Sequence, residues 1–246
     1  MIILVFMLQA LQNKETTMSH PKVFVSSTYV DLRGLRTQLE TFIKKFGLTP
    51  VLFEKGGIYF DWTLPFDISC YNEIPHCDIY VLIIGGRYGS PASSETKKRG
   101  LGITKFNSVT KNEYRKAEEV DMPIFIFVDN QVLTTYKTYC RNGRKLDVEY
   151  AIVDNPLIFR LLDDIYSRKR NNFIQGYSSI EDITTFLRDQ WAGMLHDYIQ
   201  KKMRQKIGEK EIRINAYKLF YYRYSRSLSF TALSHLSGDR EENSKA

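Results

Sequence analysis

Cysteine is scarce: Cys70, Cys77 and Cys140 are the three in 246 residues, with no C-x-x-C pair among them. An odd, scattered count excludes a disulfide framework and fits a reducing cytoplasm. The four histidines, His20, His76, His196 and His235, are equally dispersed, and nothing has zinc-ligand spacing, so no metal is expected. His76-Cys77 reads instead as a helix-to-strand junction. The apolar run Ile2 to Leu8 falls far short of the roughly 20 residues of a membrane span. It also lacks the basic region and small-residue cleavage site of a secretory signal. Met18 is therefore read as the true start, or else residues 1–17 as an accessory helix. There is no internal repeat and no low-complexity linker.

What is present is a globular composition, 43% hydrophobic and 26% charged, in a chain long enough for one or two domains. The net charge of +7 is concentrated in one place. Ile199 to Arg226 holds nine Lys or Arg against Glu209 and Glu211, which leaves the rest of the chain neutral. Tyr217, Phe220, Tyr221, Tyr222 and Tyr224 are interleaved with these charges. A basic, aromatic stripe can bind nucleic acid through phosphates and base stacking. No nucleic-acid motif accompanies it, so a solvated helix that docks on its own body or on a second subunit is the preferred reading. The tail from Ser237 to Ala246 is polar and expected to fray.

Residues 21–135 alternate strand and helix. Lys22 to Val25 is a short buried strand, and a helix follows from Asp31 to Phe46. That helix carries Leu32, Leu35, Leu39, Phe42, Ile43 and Phe46 on one face, with Gly47 as its C-terminal cap. Thr49 to Phe53 is a second strand. A loop with Tyr59, Phe60 and Trp62 leads to a short helix opened by Pro65 and running to Ile74. Asp78 to Ile84 is almost continuously apolar, as a central strand covered on both faces must be. Residues 90–107 read as a mobile polar loop, Thr110 to Val120 as a helix, and Pro123 to Val128 as a fourth strand. This order predicts an α/β fold with a parallel sheet and right-handed crossovers. Residues 136–230 read as a mostly helical extension. It has helices at Tyr150–Arg168 and Ser179–Ile207, the latter turning Ile183, Phe186, Leu187, Trp191, Leu195, Tyr198 and Ile199 inward. Ile174 to Tyr177 reads as a last short strand.

Ligands of open parallel sheets sit outside the carboxyl ends of the strands. Here those ends supply Ser26, Ser27 and Tyr29, then Phe60 and Asp61, then Gly86, Arg87 and Tyr88, then Ser108, Thr110 and Glu113. Glycine permits close backbone approach, Arg87 suits a phosphate, and Tyr29, Phe60 or Tyr88 can stack on a base. Glu113 admits two roles. Thr110-Lys111-Asn112-Glu113 is a capping-box pattern, in which the carboxylate serves only the helix end. A carboxylate in a first helical turn can also stabilise oxocarbenium-like charge as an N-glycosidic bond breaks.

Four motifs occur in order: Phe24-Val25-Ser26-Ser27-Thr28-Tyr29 with Asp31-Leu32; Asp78 to Val81 with Gly86-Arg87-Tyr88-Gly89-Ser90; Ser108-x-Thr110-x-x-Glu113-Tyr114; and Pro123-x-x-x-Phe127-Val128. They resemble the TIR-like domain of unknown function that opens with an F-V-S-S-T-[FY]-x-D-L signature. That family is distantly similar to TIR NADases and to nucleoside 2-deoxyribosyltransferases. The resemblance implies a flavodoxin-like sheet and a catalytic role for Glu113. That role carries over to Glu113 only; Ser26, Ser27, Tyr29, Phe60, Gly86, Arg87, Tyr88 and Ser108 are expected around a nucleotide from their places at the strand ends. The activity implied is cleavage of NAD at its nicotinamide N-glycosidic bond, by hydrolysis or cyclisation, in nucleotide-based immune defence. NAD is then the substrate, with no separate cofactor. A homo-oligomer and an immune partner protein are the expected partners. A non-catalytic nucleotide-binding or self-assembling module, and a nucleoside or nucleotide N-glycosidase, are the alternatives. The sequence departs from its relatives at three places. Leu35 precedes Arg36 where the family usually has Glu, so any ion pair of that Glu is lost. Asn107 stands where deoxyribosyltransferases have Asp, and Val109 where many TIR NADases have Trp.

Overall fold

Five short apolar segments become five parallel strands because each is followed by a helix that must return across the sheet before the next can pair. The computed structural model describes residues 20–96 and 106–238. The expected N-terminal helix, half of the polar loop 90–107 (residues 97–105) and the last eight tail residues lie outside that range. The strands are β1 (Lys22–Ser27), β2 (Thr49–Val51), β3 (Ile79–Ile84), β4 (Ile124–Asp129) and β5 (Ile174–Tyr177). Their order, β2-β1-β3-β4-β5, is all parallel and flavodoxin-like. In this order the chain leaves β1 toward β2 on one side, then crosses back to place β3 on the other. The crevice between the β1 and β3 carboxyl ends is the topological switch point, where such sheets hold ligands.

The helices are α1 (Tyr29–Lys45), α2 (Phe66–Glu73), α3 (Ser93–Thr96), α4 (Val109–Glu119), α5 (Asn130–Arg141), α6 (Leu157–Tyr166) and α7 (Ile180–Gly238). All six residues of β3 are buried, as its unbroken apolar run requires. Phe24 of β1 lies opposite Tyr80 of β3 and stacks on it at 5.7 Å. α1 ends as expected. Gly47 takes the left-handed conformation at φ 84°, and the Gly47 and Leu48 amides bond back to the Lys44 and Ile43 carbonyls.

Several boundaries differ from expectation. β2 stops at Val51, because Phe53–Lys55 turns into a single 3-10 turn. α4 starts at Val109, one residue early, because Ser108 caps it. The helix expected over 150–168 is only Leu157–Tyr166, since Pro156 opens it and the residues before it form turns. α5 was not anticipated at all, although Asp129 caps it by accepting from the Gln131 amide. The last short strand falls at Ile174–Tyr177 as expected, and pairs with β4.

The chain divides into two compact units, 1–187 and 188–246. In the first, Ile183 and Leu187 are fully buried, and Phe186 packs edge-on against Phe127 of β4. In the second, Leu195, Tyr198 and Ile199, expected to face inward, are 60%, 59% and 42% exposed. Lys202 lies over the Tyr198 ring and Lys201 pairs with Asp197, so this stretch reads as a solvated helix. Among the described residues, no helix is long and apolar enough to cross a membrane.

Candidate functional site

The last two residues of β1 point to opposite faces of the sheet, as pleating demands, and each anchors a different ionic group. Ser26 faces α4 and donates its hydroxyl to Glu113 Oε2 at 2.5 Å. Ser27 faces α1 and accepts from Arg36 Nη1 at 2.8 Å. Beyond them, at the β1–β3 switch point, lies a cavity of about 460 Å³. Its walls include Phe24, Val30, Phe53 and Phe66. Its polar lining includes Ser27, Thr28, Arg36, Asp67, Thr110 and Glu113, with Arg87, Ser90 and Asp154 also on the wall. A volume of this size suits a small organic ligand.

Glu113 is not part of a capping box. Ser108 is the N-cap of α4, and its hydroxyl accepts from the Lys111 amide at 3.2 Å. The helix therefore has its cap without Glu113, which lies two residues too deep to serve. It sits instead on the buried stripe of Thr110, Tyr114 and Ala117, where an apolar side chain would be ordinary. Only 6% of it is exposed. Burial pushes its pKa up to about 7, against the opposing pull of the Ser26 hydrogen bond and the Arg36 charge, while Asp67 adds to the rise. A buried carboxyl group shifted toward neutrality inside a cleft makes Glu113 a candidate functional group.

Arg36 is the buried cation of the site, 1% exposed. Its Nε and Nη2 each lie 2.7 Å from an oxygen of Glu54, a two-pronged pair, while Nη1 reaches the Val25 carbonyl and Ser27. It thereby ties α1, the end of β1 and the turn after β2 into one piece. Asp67, in the first turn of α2 and 7% exposed, receives Ser93 N, Ser93 Oγ and Tyr71 Oη on a single oxygen, Oδ2. Cys70, also on the cavity wall, has its thiol pushed up to about 12, by burial first and then by the charges of Glu113 and Asp67. It is held as an inert thiol rather than a nucleophile.

The expected site residues divide. Glu113, Ser27 and Arg87 line one cavity, and Ser26 joins them through its bond to Glu113. Arg87 is exposed and has no ion-pair partner among the described residues. Tyr29 opens α1 beside the cavity residues Thr28 and Val30, and its side chain lies outside the described positions. Phe60 is 54% exposed and touches the site only through Phe66, at 6.0 Å between ring centroids. Tyr88 is not among the residues that line the cavity. It is 3% exposed and its hydroxyl donates to the Phe106 carbonyl. Gly86 does permit a close backbone approach, but to its own chain. An added Cβ would lie 2.6 Å from the Ile152 carbonyl oxygen, and Asp154 N donates to the Gly86 carbonyl. Ser108 is a cap.

The residues not anticipated are Arg36, Glu54, Asp67 and Asp154, while Thr110, expected at a strand end, does line the cavity. Arg36 carried one signal, a cation on the apolar stripe of α1 between Leu35 and Leu39. Asp67 carried none, because an acid in a first helical turn is unremarkable.

Among the described residues, no group of three or more His, Cys, Asp or Glu could hold a metal ion. The family model described as a domain of unknown function, DUF4062, matches residues 22–192, well over half of the chain. No curated protein matches it.

Proposed function

The chain belongs to the DUF4062 family, and on that premise we propose that it cleaves the nicotinamide N-glycosidic bond of NAD, as TIR-like NADases do, in nucleotide-based immune defence. The observation that carries this reading is Glu113: released from helix capping, buried, bonded to Ser26 and facing a cavity at the switch point. The nicotinamide ribose enters the cavity, with the pyridinium between aromatic and aliphatic walls. Its positive charge draws the Glu113 proton off, since a nearby cation favours the carboxylate. The bond between the anomeric carbon and the ring nitrogen then breaks, and its electron pair neutralises the ring. Glu113 stabilises the oxocarbenium-like centre left behind. Water adds to that carbon and passes its proton to Glu113, giving ADP-ribose; attack by a group of the same molecule gives a cyclic product. Arg87 meets the pyrophosphate at the rim.

The test is nicotinamide release from NAD by the full chain. The wild type is expected to release it, with kcat/KM rising as pH increases through about 7, the value to which Glu113 is pushed. Glu113→Gln is expected to lose the activity while keeping the fold. A Gln variant as fast as the wild type overturns the mechanism. Release of free base from neutral nucleosides instead favours the N-glycosidase reading.

One observation favours a self-assembling module. Leu195, Tyr198, Ile199, Met203 and Ile207 of α7 are all at least two-fifths exposed. Light scattering on the purified chain tests it: a homo-oligomer is expected, and a strict monomer contradicts it.

A further inference from the structure

The cavity holds more negative charge than Glu113 alone supplies. Asp67 spends Oδ2 on Ser93 and Tyr71, while no described residue donates to Oδ1. Glu113 likewise spends Oε2 on Ser26, and no described residue donates to its Oε1. Both residues line the same cavity and both are more than nine-tenths buried. Each thus keeps a carboxylate oxygen that no described residue satisfies, on the wall of a cavity where a ligand can reach it.

The buried cation on the cavity wall does not balance them. Arg36 also lines the cavity, but its guanidinium is engaged edge-on by both oxygens of Glu54, and its remaining nitrogen by Val25 and Ser27. Glu54 takes up most of the Arg36 charge, so Asp67 and Glu113 are the surplus at depth, and Asp154 on the wall is an exposed third acid. Arg87, the other cation on the wall, is exposed and faces solvent rather than the buried floor. Phe24, Phe53, Phe66 and Val109 give the cavity an apolar side, beside the hydroxyls of Ser27, Thr28 and Thr110. A pocket with aromatic walls, two surplus acids at depth and a cation at its rim is complementary to a flat cationic ring whose phosphates stay outside.

We propose that Asp67 is a second ligand-contacting carboxylate, and that with Glu113 it makes the cavity select a cationic aromatic ring over its neutral counterpart. This rests on the reading of the site given above and deepens it. The substrate class is pyridinium nucleotides in their oxidised, charged form. The reduced, uncharged form has nearly the same shape but lacks the charge the two acids recognise. Asp67 here is a specificity-determining residue, distinct from the acid that faces the anomeric carbon.

The test uses two small probes with no glycosidic bond, the 1-methylnicotinamide cation and neutral nicotinamide, titrated into the full chain and followed calorimetrically. The wild type is expected to bind the cation at least tenfold more tightly. Asp67→Asn keeps an acceptor for the Ser93 amide and is expected to reduce that ratio several-fold. Equal affinity for the two rings in the wild type overturns the proposal, and needs no variant to fold. So does an Asp67→Asn protein that is folded by circular dichroism and keeps the full preference. Failure of the reaction is a separate result. A chain that prefers the cation yet releases no nicotinamide from NAD supports the selectivity and overturns the hydrolysis. One that releases nicotinamide while binding both rings equally does the reverse.

Discussion

Glu113 is where stability and chemistry conflict. Its folded pKa, about 7, lies above the unfolded value of about 4.3. The folded protein therefore keeps a proton that the unfolded chain has already released. Stability is fully present below about pH 4.3 and is lost as pH rises toward 7, beyond which the curve is level. Each tenfold difference in proton affinity between the two states is worth about 1.4 kcal/mol, so the loss is on the order of 3 kcal/mol. Glu113→Gln cannot ionise and still offers Ser26 an acceptor. Chemical denaturation is expected to find the variant and the wild type alike at pH 4, and the variant more stable by on the order of 3 kcal/mol at pH 8. Parallel stability curves would mean that Glu113 titrates normally and is not held in a dry cavity. An acid retained at such a cost fits a group kept for what it does.

At the scale of elements, the site is assembled by turns that depend on particular small residues. Gly86 follows β3, and the Ile152 carbonyl sits where a side chain would begin. That oxygen belongs to backbone, so it cannot swing aside, and Asp154 further binds the segment to β3 through the Gly86 carbonyl and the Tyr88 amide. Gly86→Ala is expected to cost about 1–3 kcal/mol by overpacking, read as a lowered melting temperature. Because Asp154 is on the cavity wall, NAD affinity is expected to fall with it. An Ala variant with unchanged melting and affinity would show that the segment yields freely.

Much of this scale was legible in the sequence. Apolar runs of β type separated by amphipathic stretches announced the parallel sheet, and the serine turn after β1 marked the strand end where the cavity lies. Other features were hidden for physical reasons. Thr110-x-x-Glu113 matches a capping box, and only the geometry shows that Ser108 takes that place and turns Glu113 inward. Tyr88 and Gly86 sit at a strand end, as ligand contacts do, but the 150–156 segment covers them from far along the chain. Arg36 and Asp67 become site residues only through partners 18 and 26 positions away, Glu54 and Ser93. Spacing within a motif carries no record of such pairings.

For the molecule as a whole, everything that lines the cavity lies between residues 24 and 154, inside the first compact unit and inside the family match. The basic surplus lies elsewhere, on α7. A chain ending at residue 192 is therefore expected to keep its sheet, by circular dichroism, and its affinity for NAD. Loss of cooperative unfolding in that truncated chain would show instead that the sheet requires the rest of α7.

The most direct measurement is a crystal structure of Glu113→Gln soaked with NAD, since that variant is expected to bind without turning over. The expected result is the nicotinamide ribose inside the 460 Å³ cavity, with its anomeric carbon within about 3.5 Å of the substituted side chain's amide and the pyrophosphate near Arg87. Density for NAD on another surface, or an empty cavity at saturating ligand, would contradict the assignment of Glu113 to this chemistry.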